Sequence, residues 1–543
     1  SDARMTVASS STIPVPVPES QRAAGPAMEF GPDGLEFQVD AEVTIPFDPS
    51  AVPPGTDPDD VVRVVRQSSD GSQEIIVPSG VDMDDGLVTA PTSGFSRFMV
   101  FVPRGVPDLR DRGYWEIAYR LHHKPDDSGA RDSRRRDLSV GIGALELSSF
   151  GDYFREFVTF STGFEHDENG VGMVFPSTPF PEFETGTWSY DPSGQAVILF
   201  AGGGPGGGFG KGLLGAEQQQ GYDLSVDGRV LVGFNRGNPD PSVELDLLVR
   251  RSRSPQSVAS LAGTYTLAGL AIDAHETQSG GPLFLARSHE RGALTIGAGG
   301  AVSAAVDVFT EVFDPALGVL TRRERFSDGG TLTRDDGDES VFHGTFVLET
   351  ADGSRVRILP SDDGRILVGF DEPVFEGPPG APPVSLFVAV RRASGMSESL
   401  LSGPYTATFA DALEIAPYSA TGSPGGGFVG DFVFGSVHSY LRFDGTRTVT
   451  VEFEEEREVF RADVEGGAAG DLVFDEEVDR EGFRLQRDGT FRSTDDDPAL
   501  VGAVSQNGVF GVLVDDPRAP EGASGLGILI QLPPPTVAIP RDR

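Results

Sequence analysis

The sequence lacks cysteine entirely and has only two tryptophans in 543 residues. Without cysteine it can form no disulfide, no thiolate zinc site and no iron–sulfur cluster, and it has no thiol nucleophile. Long hydrophobic runs are also missing. The longest, Ala196–Ala201 and Leu526–Leu532, fall far short of the ~18 residues that a membrane-spanning helix needs.

Positive charge is scarce. The chain has 43 Lys+Arg against 83 Asp+Glu, a formal net charge of −40, and its only lysines are Lys124 and Lys211. Such a charge repels phosphate backbones and anionic lipids, which excludes nucleic acid as a partner. It also favours solubility and tolerance of salt or divalent cations. We expect an exported protein at the cell surface or outside the cell. The opening Ser1-Asp2-Ala3, without an initiator Met or signal peptide, predicts a processed chain or a piece of a longer polypeptide.

What the chain has in abundance is turn residues, with 70 Gly and 41 Pro. They separate short runs rich in Val, Phe, Leu, Ile and Thr, and long helical stripes are hard to find. Short apolar or alternating runs bounded by Gly, Asp, Asn and Pro are typical of antiparallel strands and hairpins. The sequence therefore predicts an all-β protein.

An internal repeat organises the C-terminal three quarters of the chain. Each copy opens with a Gly shortly before a Tyr, continues with a Gly followed by an aromatic strand, and then has an Asp-Gly or Asn-Gly turn before an apolar strand. The opening pairs are Gly113 with Tyr114, Gly263 with Tyr265 and Gly403 with Tyr405; the middle glycines are Gly186, Gly344 and Gly482; the turns are Asp227-Gly228, Asp363-Gly364 and Asn507-Gly508. The interval of about 145 residues is the size of a whole domain, too long for a propeller blade or solenoid coil.

We therefore predict four domains: 1–104, then β repeats at 105–255, 256–395 and 396–543. Asp-Gly and Asn-Gly turns between apolar runs are strong hairpin signals. Seven to nine strands per repeat favour an antiparallel barrel, which hides strand edges, with a sandwich as the alternative. Short polar linkers at 250–260 and 391–399 join the repeats. We expect an elongated string of four bodies.

The first domain resembles a known family. The segments Gly31–Phe37, Val43–Asp48 and Ser93–Val100 are similar to the ZU domain of ankyrins and netrin receptors, and most similar to its copies in bacterial exported and surface proteins. That resemblance implies a β-sandwich, here truncated at its start, and implies no chemistry. The three repeats resemble tandem β domains of large bacterial exported proteins.

Aspartate-rich turns are the candidate metal sites. Calcium prefers carboxylate and carbonyl oxygens, which such turns supply. The candidate ligands are Asp82, Asp84, Asp335, Asp336, Asp338, Asp495 and Asp497. The alternative is that these aspartates only form hairpin turns. We expect no other cofactor.

Other motifs offer little chemistry. The glycine run around Lys211 lacks the first Gly and the final Ser or Thr of a phosphate loop, so we expect a loop between strands. The seven histidines have no metal-ligand spacing and fit surface loops. Trp115, Tyr119 and Trp188 are candidates for stacking on sugars, although Trp188 aligns with Phe346 and Phe483, which favours core packing.

The repeated positions are turn and core residues, which favours a repeated scaffold over repeated catalysis. We predict a non-enzymatic extracellular or cell-surface structural protein, a subunit of a larger assembly such as a filament, sheath or surface layer. Its partners would be protein, through self-association or another surface protein, with strand addition at the incomplete N-terminal sheet as the mechanism. The alternatives are an adhesin or carbohydrate-binding surface protein and an exported hydrolase.

Overall fold

The computed structural model describes most of the chain. The described residues are 6–10, 21–31, 36–52, 58, 62–67, 73–76, 78–94, 97–103, 107, 109–124, 135–166, 172–176, 180–191, 194–201, 219–234, 242–276, 283–314, 317–336, 342–351, 353–372, 384–419, 428–459, 472–475, 479–494, 500–516 and 524–533. The description that follows concerns these residues.

Strands dominate throughout. The N-terminal strands are β1 (Thr6–Ser10), β2 (Gln21–Ala23), β3 (Ala27–Gly31), β4 (Glu36–Pro46), β5 (Arg63–Gln67), β6 (Gln73–Ile76), β7 (Gly80–Asp82), β8 (Leu87–Gly94) and β9 (Arg97–Pro103), with a 3-10 turn at Pro49–Ala51. They form two sheets, one in the order β1-β3-β9-β5-β6 with β2 on β9, the other in the order β4-β8-β7. Side chains from both sheets, such as Val43, Val88, Val64 and Val100, share one core. The predicted N-terminal sandwich is thus confirmed.

The remaining strands form three groups. The first holds β10 (Arg112–Lys124), β11 (Arg135–Leu147), β12 (Asp152–His166), β13 (Gly172–Pro176), β14 (Phe180–Tyr190), β15 (Ala196–Ala201), β16 (Gln219–Leu224), β17 (Val230–Phe234) and β18 (Ser242–Arg250). The second holds β19 (Gly263–Glu276), β20 (Leu283–Ile296), β21 (Ala301–Asp314), β22 (Gly318–Arg334), β23 (Phe346–Thr350), β24 (Arg355–Pro360), β25 (Ile366–Asp371) and β26 (Val384–Arg391), after a 3-10 turn at Val258–Leu261. The third holds β27 (Ser402–Ser419), β28 (Phe428–Asp444), β29 (Thr448–Val459), β30 (Leu472–Asp475), β31 (Asp479–Leu485), β32 (Thr490–Ser493), β33 (Leu500–Val504), β34 (Phe510–Asp515) and β35 (Ser524–Gln531), after a 3-10 turn at Glu398–Leu400.

Each group closes into an antiparallel eight-stranded barrel. In the second group β19 to β26 follow the barrel in sequence order. In the first and third groups the closing pairs are β11 with β12 and β28 with β29, and the extra strands β13 and β30 pair outside the ring. The barrel alternative is therefore confirmed over the sandwich for the repeats. Within the described part of the chain, no helix has the length and apolar character to cross a bilayer.

The sequence landmarks meet in space. The opening Tyr donates a hydrogen bond to the carbonyl of the turn Gly, which has a positive φ in every barrel. The three bonds are Tyr114 to Gly228 at 2.8 Å, Tyr265 to Gly364 at 2.8 Å and Tyr405 to Gly508 at 3.0 Å. Each bond ties the first strand to the turn before the seventh, so the repeat spacing reflects barrel closure. Burial raises the pKa of all three phenols, that of Tyr265 to about 12.

Two tyrosines on β10 provide a matched test of this bond. We expect Tyr114→Phe to lower the free energy of unfolding by about 1–2 kcal/mol, because the Gly228 carbonyl loses a buried donor. Tyr119→Phe should be neutral or stabilising, since the buried Tyr119 hydroxyl has no hydrogen-bond partner among the described residues. Urea denaturation of both variants measures the difference, and equal losses would contradict the proposed role of the bond.

A large aromatic ring fills each barrel beside a glycine. The ring–glycine pairs are Tyr222 with Gly233, Phe387 with Gly369, and Phe409 with Gly527. A Cβ built on Gly233 would come within 2.7 Å of the Tyr222 ring, and the other two glycines would meet their rings more closely still. Glycine at these strand positions lets the ring approach the backbone, so side chains occupy the barrel interiors.

The outward faces of the barrels pack against one another. On β18, Leu248 lies in the interior cluster of the first barrel, while Leu247 and Val249 belong to a cluster shared by all three barrels. Members of this shared core are Ile117, Tyr119, Val232, Leu270, Phe370, Val388, Val512, Ile528 and Ile530. The expected string of separate bodies is therefore wrong for the three barrels, and the domain boundaries inside them stay predictions.

Polar contacts accompany the shared core. Arg250 of the first barrel pairs with Asp362 of the second at 2.6 Å, and Arg229 with Asp363 at 2.9 Å. Between the first and third barrels, the Val226 amide donates to the Gln531 carbonyl at 2.8 Å. These contacts lie at the turns that the repeat analysis singled out, so the same turns serve barrel closure and barrel–barrel packing.

Candidate functional site

The described aspartates proposed as calcium ligands make turns and ion pairs. The Asp82 carboxylate accepts from the backbone amides of Asp84 and Asp85, both at 3.0 Å. Asp335 accepts from the Arg357 guanidinium at 2.7 Å, and Asp336 lies 3.2 Å from the Arg334 Nε. Among the described residues, no three His, Asp or Glu side chains are grouped as metal ligands.

Several other candidates lie outside the described residues. These are Asp338, Asp495 and Asp497, together with the glycine run around Lys211. The calcium prediction for those turns stays a prediction.

The aromatic side chains considered for sugar stacking are buried. Trp115 and Tyr119 are 5% and 0% exposed and belong to the shared core, so their expected exposure is wrong. Trp188 packs inside the first barrel, as its alignment with Phe346 and Phe483 predicted. The prediction of exposure failed because these strands are buried on both faces. An aromatic side chain that points out of its own barrel there packs against another barrel.

An ion pair lies inside the first barrel. Glu116 on β10 and Arg155 on β12 are 1% and 2% exposed. The Arg155 Nε donates to the Glu116 Oε2 at 2.7 Å, and its Nη2 donates to the other carboxylate oxygen. Burial acts to lower the pKa of Arg155, but the charge and hydrogen bond of Glu116, together with the charges of Tyr222 and Asp246, outweigh it and hold that pKa above its usual value. Glu116 is thus a salt-bridged carboxylate and not a free acid or base.

Further polar groups extend this pair across the barrel. The Arg155 Nη1 lies 3.4 Å from the Glu184 carboxylate and donates to the Gln220 side-chain Oε1 at 3.3 Å. Tyr153 donates to Glu184, and Gln220 donates to the fully buried Asp246. The sequence did not suggest this network, since its members lie on five strands. The one available signal is a charged residue at an inward position of an otherwise apolar strand.

The second barrel encloses a carboxyl group with an altered titration. Glu290 lies over Gly269, where an added Cβ would come 2.7 Å from its Oε1. Burial, and secondly the negative charge of Asp371, raise the pKa of Glu290 to about 7. Protonation is thus favoured in the folded state up to neutral pH.

This shift has a measurable consequence for stability. Because the folded pKa of Glu290 lies above its unfolded value of 4.5, its contribution is complete below pH 4.5 and is lost as the pH rises through 7. We expect Glu290→Gln, compared with the unmodified chain, to gain about 1–3 kcal/mol in unfolding free energy between pH 4.5 and pH 8. Denaturation at both pH values tests this, with exposed Glu349→Gln as the control. A gain that does not change with pH would contradict it.

Two histidines are buried on strands, so the expectation that the histidines lie in surface loops is wrong for them. His289 stacks on Phe309 at 5.1 Å between ring centroids, and burial lowers its pKa to about 3. His438 of the third barrel contacts the Thr408 hydroxyl through Nδ1 at 2.9 Å and the Asp223 carboxylate of the first barrel through Nε2 at 3.4 Å.

The Thr408–His438–Asp223 arrangement has the order of a hydroxyl, a base and a carboxylate. Catalysis by such a group requires the hydroxyl to reach a substrate. Thr408, His438 and Asp223 are 1%, 3% and 4% exposed, sealed between the first and third barrels. The contact joins two barrels and does not face a cleft.

The surface of the first barrel carries exposed aromatic residues. Phe154 and Phe183 lie on neighbouring strands, 43% and 64% exposed, with ring centroids 6.3 Å apart. Phe150, in the turn between β11 and β12, is 90% exposed. These residues provide the exposed aromatic surface that we had predicted, wrongly, at Trp115 and Tyr119.

Comparisons with known proteins bring no assignment. No protein-family model and no curated protein matches the chain. A solved structure of the vaccine antigen transferrin binding protein B from Haemophilus parasuis Hp5, a double mutant, is 8% identical over 86% of this chain and 82% of its own, with a TM-score of 0.19. Transferrin binding protein B from serogroup B Neisseria meningitidis is 9% identical over 90% of this chain and 89% of its own, with a TM-score of 0.17. OccK5 of Pseudomonas aeruginosa is 9% identical over 79% of this chain and 98% of its own, with a TM-score of 0.10. At TM-scores this low the likeness carries no argument.

Proposed function

We propose that this chain is a non-enzymatic protein of the bacterial cell surface that works by contact with other proteins, as a subunit of a larger assembly. The observation that carries the proposal is where the apolar packing lies. Aromatic rings fill the barrels, and a shared core fills the space where the barrels meet. Within the described residues, neither the barrel interiors nor the space between the barrels is open to a ligand, so the outer surface is the part of the molecule that is available to bind partners.

The shared core also makes a rigid body from three small barrels. Individually, small domains bury a modest fraction of their surface. By packing their outward faces together, the barrels bury both sides of strands such as β18, β26 and β35. A rigid acidic body suits a structural subunit, because its geometry is fixed before any partner binds.

Surface location and assembly are tested separately. Immunogold labelling of intact source cells should place the chain outside the cell, and trypsin added to intact cells should remove it. Amine labelling is a poor substitute, since the chain has two lysines. Electron microscopy of the native particle should show an ordered assembly. A monodisperse monomer in native extracts would contradict the assembly role, and label confined to the cell interior would contradict the location.

A second candidate function, glycan binding, rests on Phe154 and Phe183. Paired exposed rings offer stacking surfaces for sugar faces. A glycan array probed with the intact chain and with Phe183→Ala tests it, with Phe326→Ala as the control for an equally simple loss of an exposed ring. Hits that disappear only with Phe183→Ala would favour an adhesin.

A further inference from the structure

The second barrel has a long unpaired strand edge. β22 pairs with β21 along fourteen residues, from Gly318 opposite Asp314 to Thr331 opposite Ala301. On its other side it pairs with β23 only from Gly330 to Arg334. Among the described residues, the outer edge of Gly318–Asp328 therefore pairs with no strand, over about 35 Å at the ~3.4 Å rise of an antiparallel strand.

This edge is accessible from both faces of the sheet. All eight residues from Thr321 to Asp328 are exposed. Phe326 is 50% exposed, and Leu317 at the preceding turn is 69% exposed. A long exposed edge is a template for an incoming strand, and proteins normally cover it, shorten it, or charge it so that only a strand of opposite charge pairs favourably.

The edge carries positive charge in a strongly acidic chain. Arg322, Arg323 and Arg325 fall within four residues. Because strand residues alternate between faces, Arg323 and Arg325 share one face, and Arg322 and Phe326 share the other. β21 holds the first two in place: the Arg323 guanidinium lies 5.5 Å from the Phe309 ring centroid, and the Arg325 Nε lies 3.8 Å from Asp307.

In the registers centred on residues 322 to 326, charge argues against a second copy of this edge as the partner, and registers centred elsewhere pair at most seven of the eleven residues from Gly318 to Asp328. Two antiparallel edges related by a two-fold axis pair residues symmetrically about one central residue. With the centre at Arg322, Arg323 or Arg325, that arginine opposes its own copy. With the centre at Glu324 it opposes Glu324, and with the centre at Phe326, Glu324 opposes Asp328. Like charges directly opposite one another destabilise strand pairing.

We propose that the outer edge of β22 from Gly318 to Asp328 is a strand-addition site for an extended acidic segment of a partner protein. Carboxylates at alternate positions of that segment would face Arg323 and Arg325, and backbone hydrogen bonds would supply the pairing. The chain's net charge of −40 opposes an acidic partner only weakly at this edge, because charges farther away than about 8 Å are largely screened at physiological salt. The inference rests on the proposed contact function and names its partner class.

The test uses the whole chain and a fluorescent peptide of about ten residues in which threonine and glutamate alternate. Fluorescence anisotropy should show saturable binding. Arg323→Glu combined with Arg325→Glu should weaken it by about tenfold or more, from two reversed cross-strand pairs. A matching peptide with lysine in place of glutamate should prefer that double variant. The control is Arg447→Glu, because the side chains of Arg447 and Arg325 are both 72% exposed.

Two further measurements separate strand addition from simple charge attraction. Two peptides are compared, one N-methylated at the odd-numbered residues and one at the even-numbered residues. Only one of these sets of amides faces β22, so one peptide should lose binding and the other should keep it. The milder pair Arg323→Gln and Arg325→Gln repeats the test should the glutamates disturb folding. Any of four results would overturn the proposal: equal binding of both methylated peptides, full binding by the charge-reversed variant, no binding at millimolar peptide, or self-association through β22. None of these results depends on where the chain resides in the cell.

Discussion

Arg155→Met should be among the most destabilising single changes in this chain, lowering the free energy of unfolding by about 3–5 kcal/mol. The arginine holds Glu116 through two hydrogen bonds and also contacts Glu184 and Gln220 inside the first barrel. Methionine keeps much of the volume but leaves the Glu116 carboxylate buried without its cation. The loss comes from that stranded charge more than from the value of the pair itself.

The double variant Glu116→Gln with Arg155→Met isolates this cause. It removes both charges, so we expect most of the lost stability to return. Thermal unfolding and urea denaturation of the single and double variants give the coupling between the two positions. Exposed Arg325→Met serves as the control and should change little. A double variant as unstable as the single one would mean that packing, and not charge, sets the loss.

The repeat was readable in the sequence because its landmarks obey local rules. An Asp-Gly or Asn-Gly turn needs a residue that tolerates positive φ, and Gly228, Gly364 and Gly508 all adopt one. The opening tyrosines were visible as a pattern, although their bonds to these glycines were not. Local turn chemistry thus predicted the barrels, while the closing contacts needed strand register.

The sequence did contain an indication that the barrels pack together, although we predicted separate bodies. The runs Val384–Val390 and Leu526–Leu532 are nearly continuous in apolar residues, whereas a strand with one solvent-exposed face alternates between apolar and polar residues. A continuous run indicates burial on both faces, which a string of separate barrels does not provide. The shared core resolves this conflict.

The buried charges had no comparable signal. Glu116 and Arg155 are 39 residues apart, and although a charged residue on an inward position of an apolar strand is a signal, the sequence does not say which residue lies opposite it. The unpaired edge of β22 was equally hidden, because strand addition was expected at the N-terminal sheet. Long-range register decides both features.

The shared core supplies the other large expected effect. Val388 on β26 is fully buried, with its side chain outside the second barrel and against the others. Val388→Asp places an unpaired carboxylate there, at a cost of several kcal/mol, unless the barrels separate and give it water. Because the interior of the second barrel is a different cluster of side chains, we expect each barrel to stay closed while the contact between barrels opens.

Two measurements distinguish opening from unfolding. Small-angle scattering should show a larger radius of gyration, and trypsin should cut within 250–260 and 391–399, where Arg250, Arg251 and Arg391 lie. The strand signal in circular dichroism should persist. Ser303→Asp, an exposed position in the same barrel, is the control, and Val388→Thr should give a smaller change in the same direction. A compact, trypsin-resistant Val388→Asp chain would mean that the barrels do not depend on this core, which would remove the rigid body on which the proposed role as an assembly subunit rests.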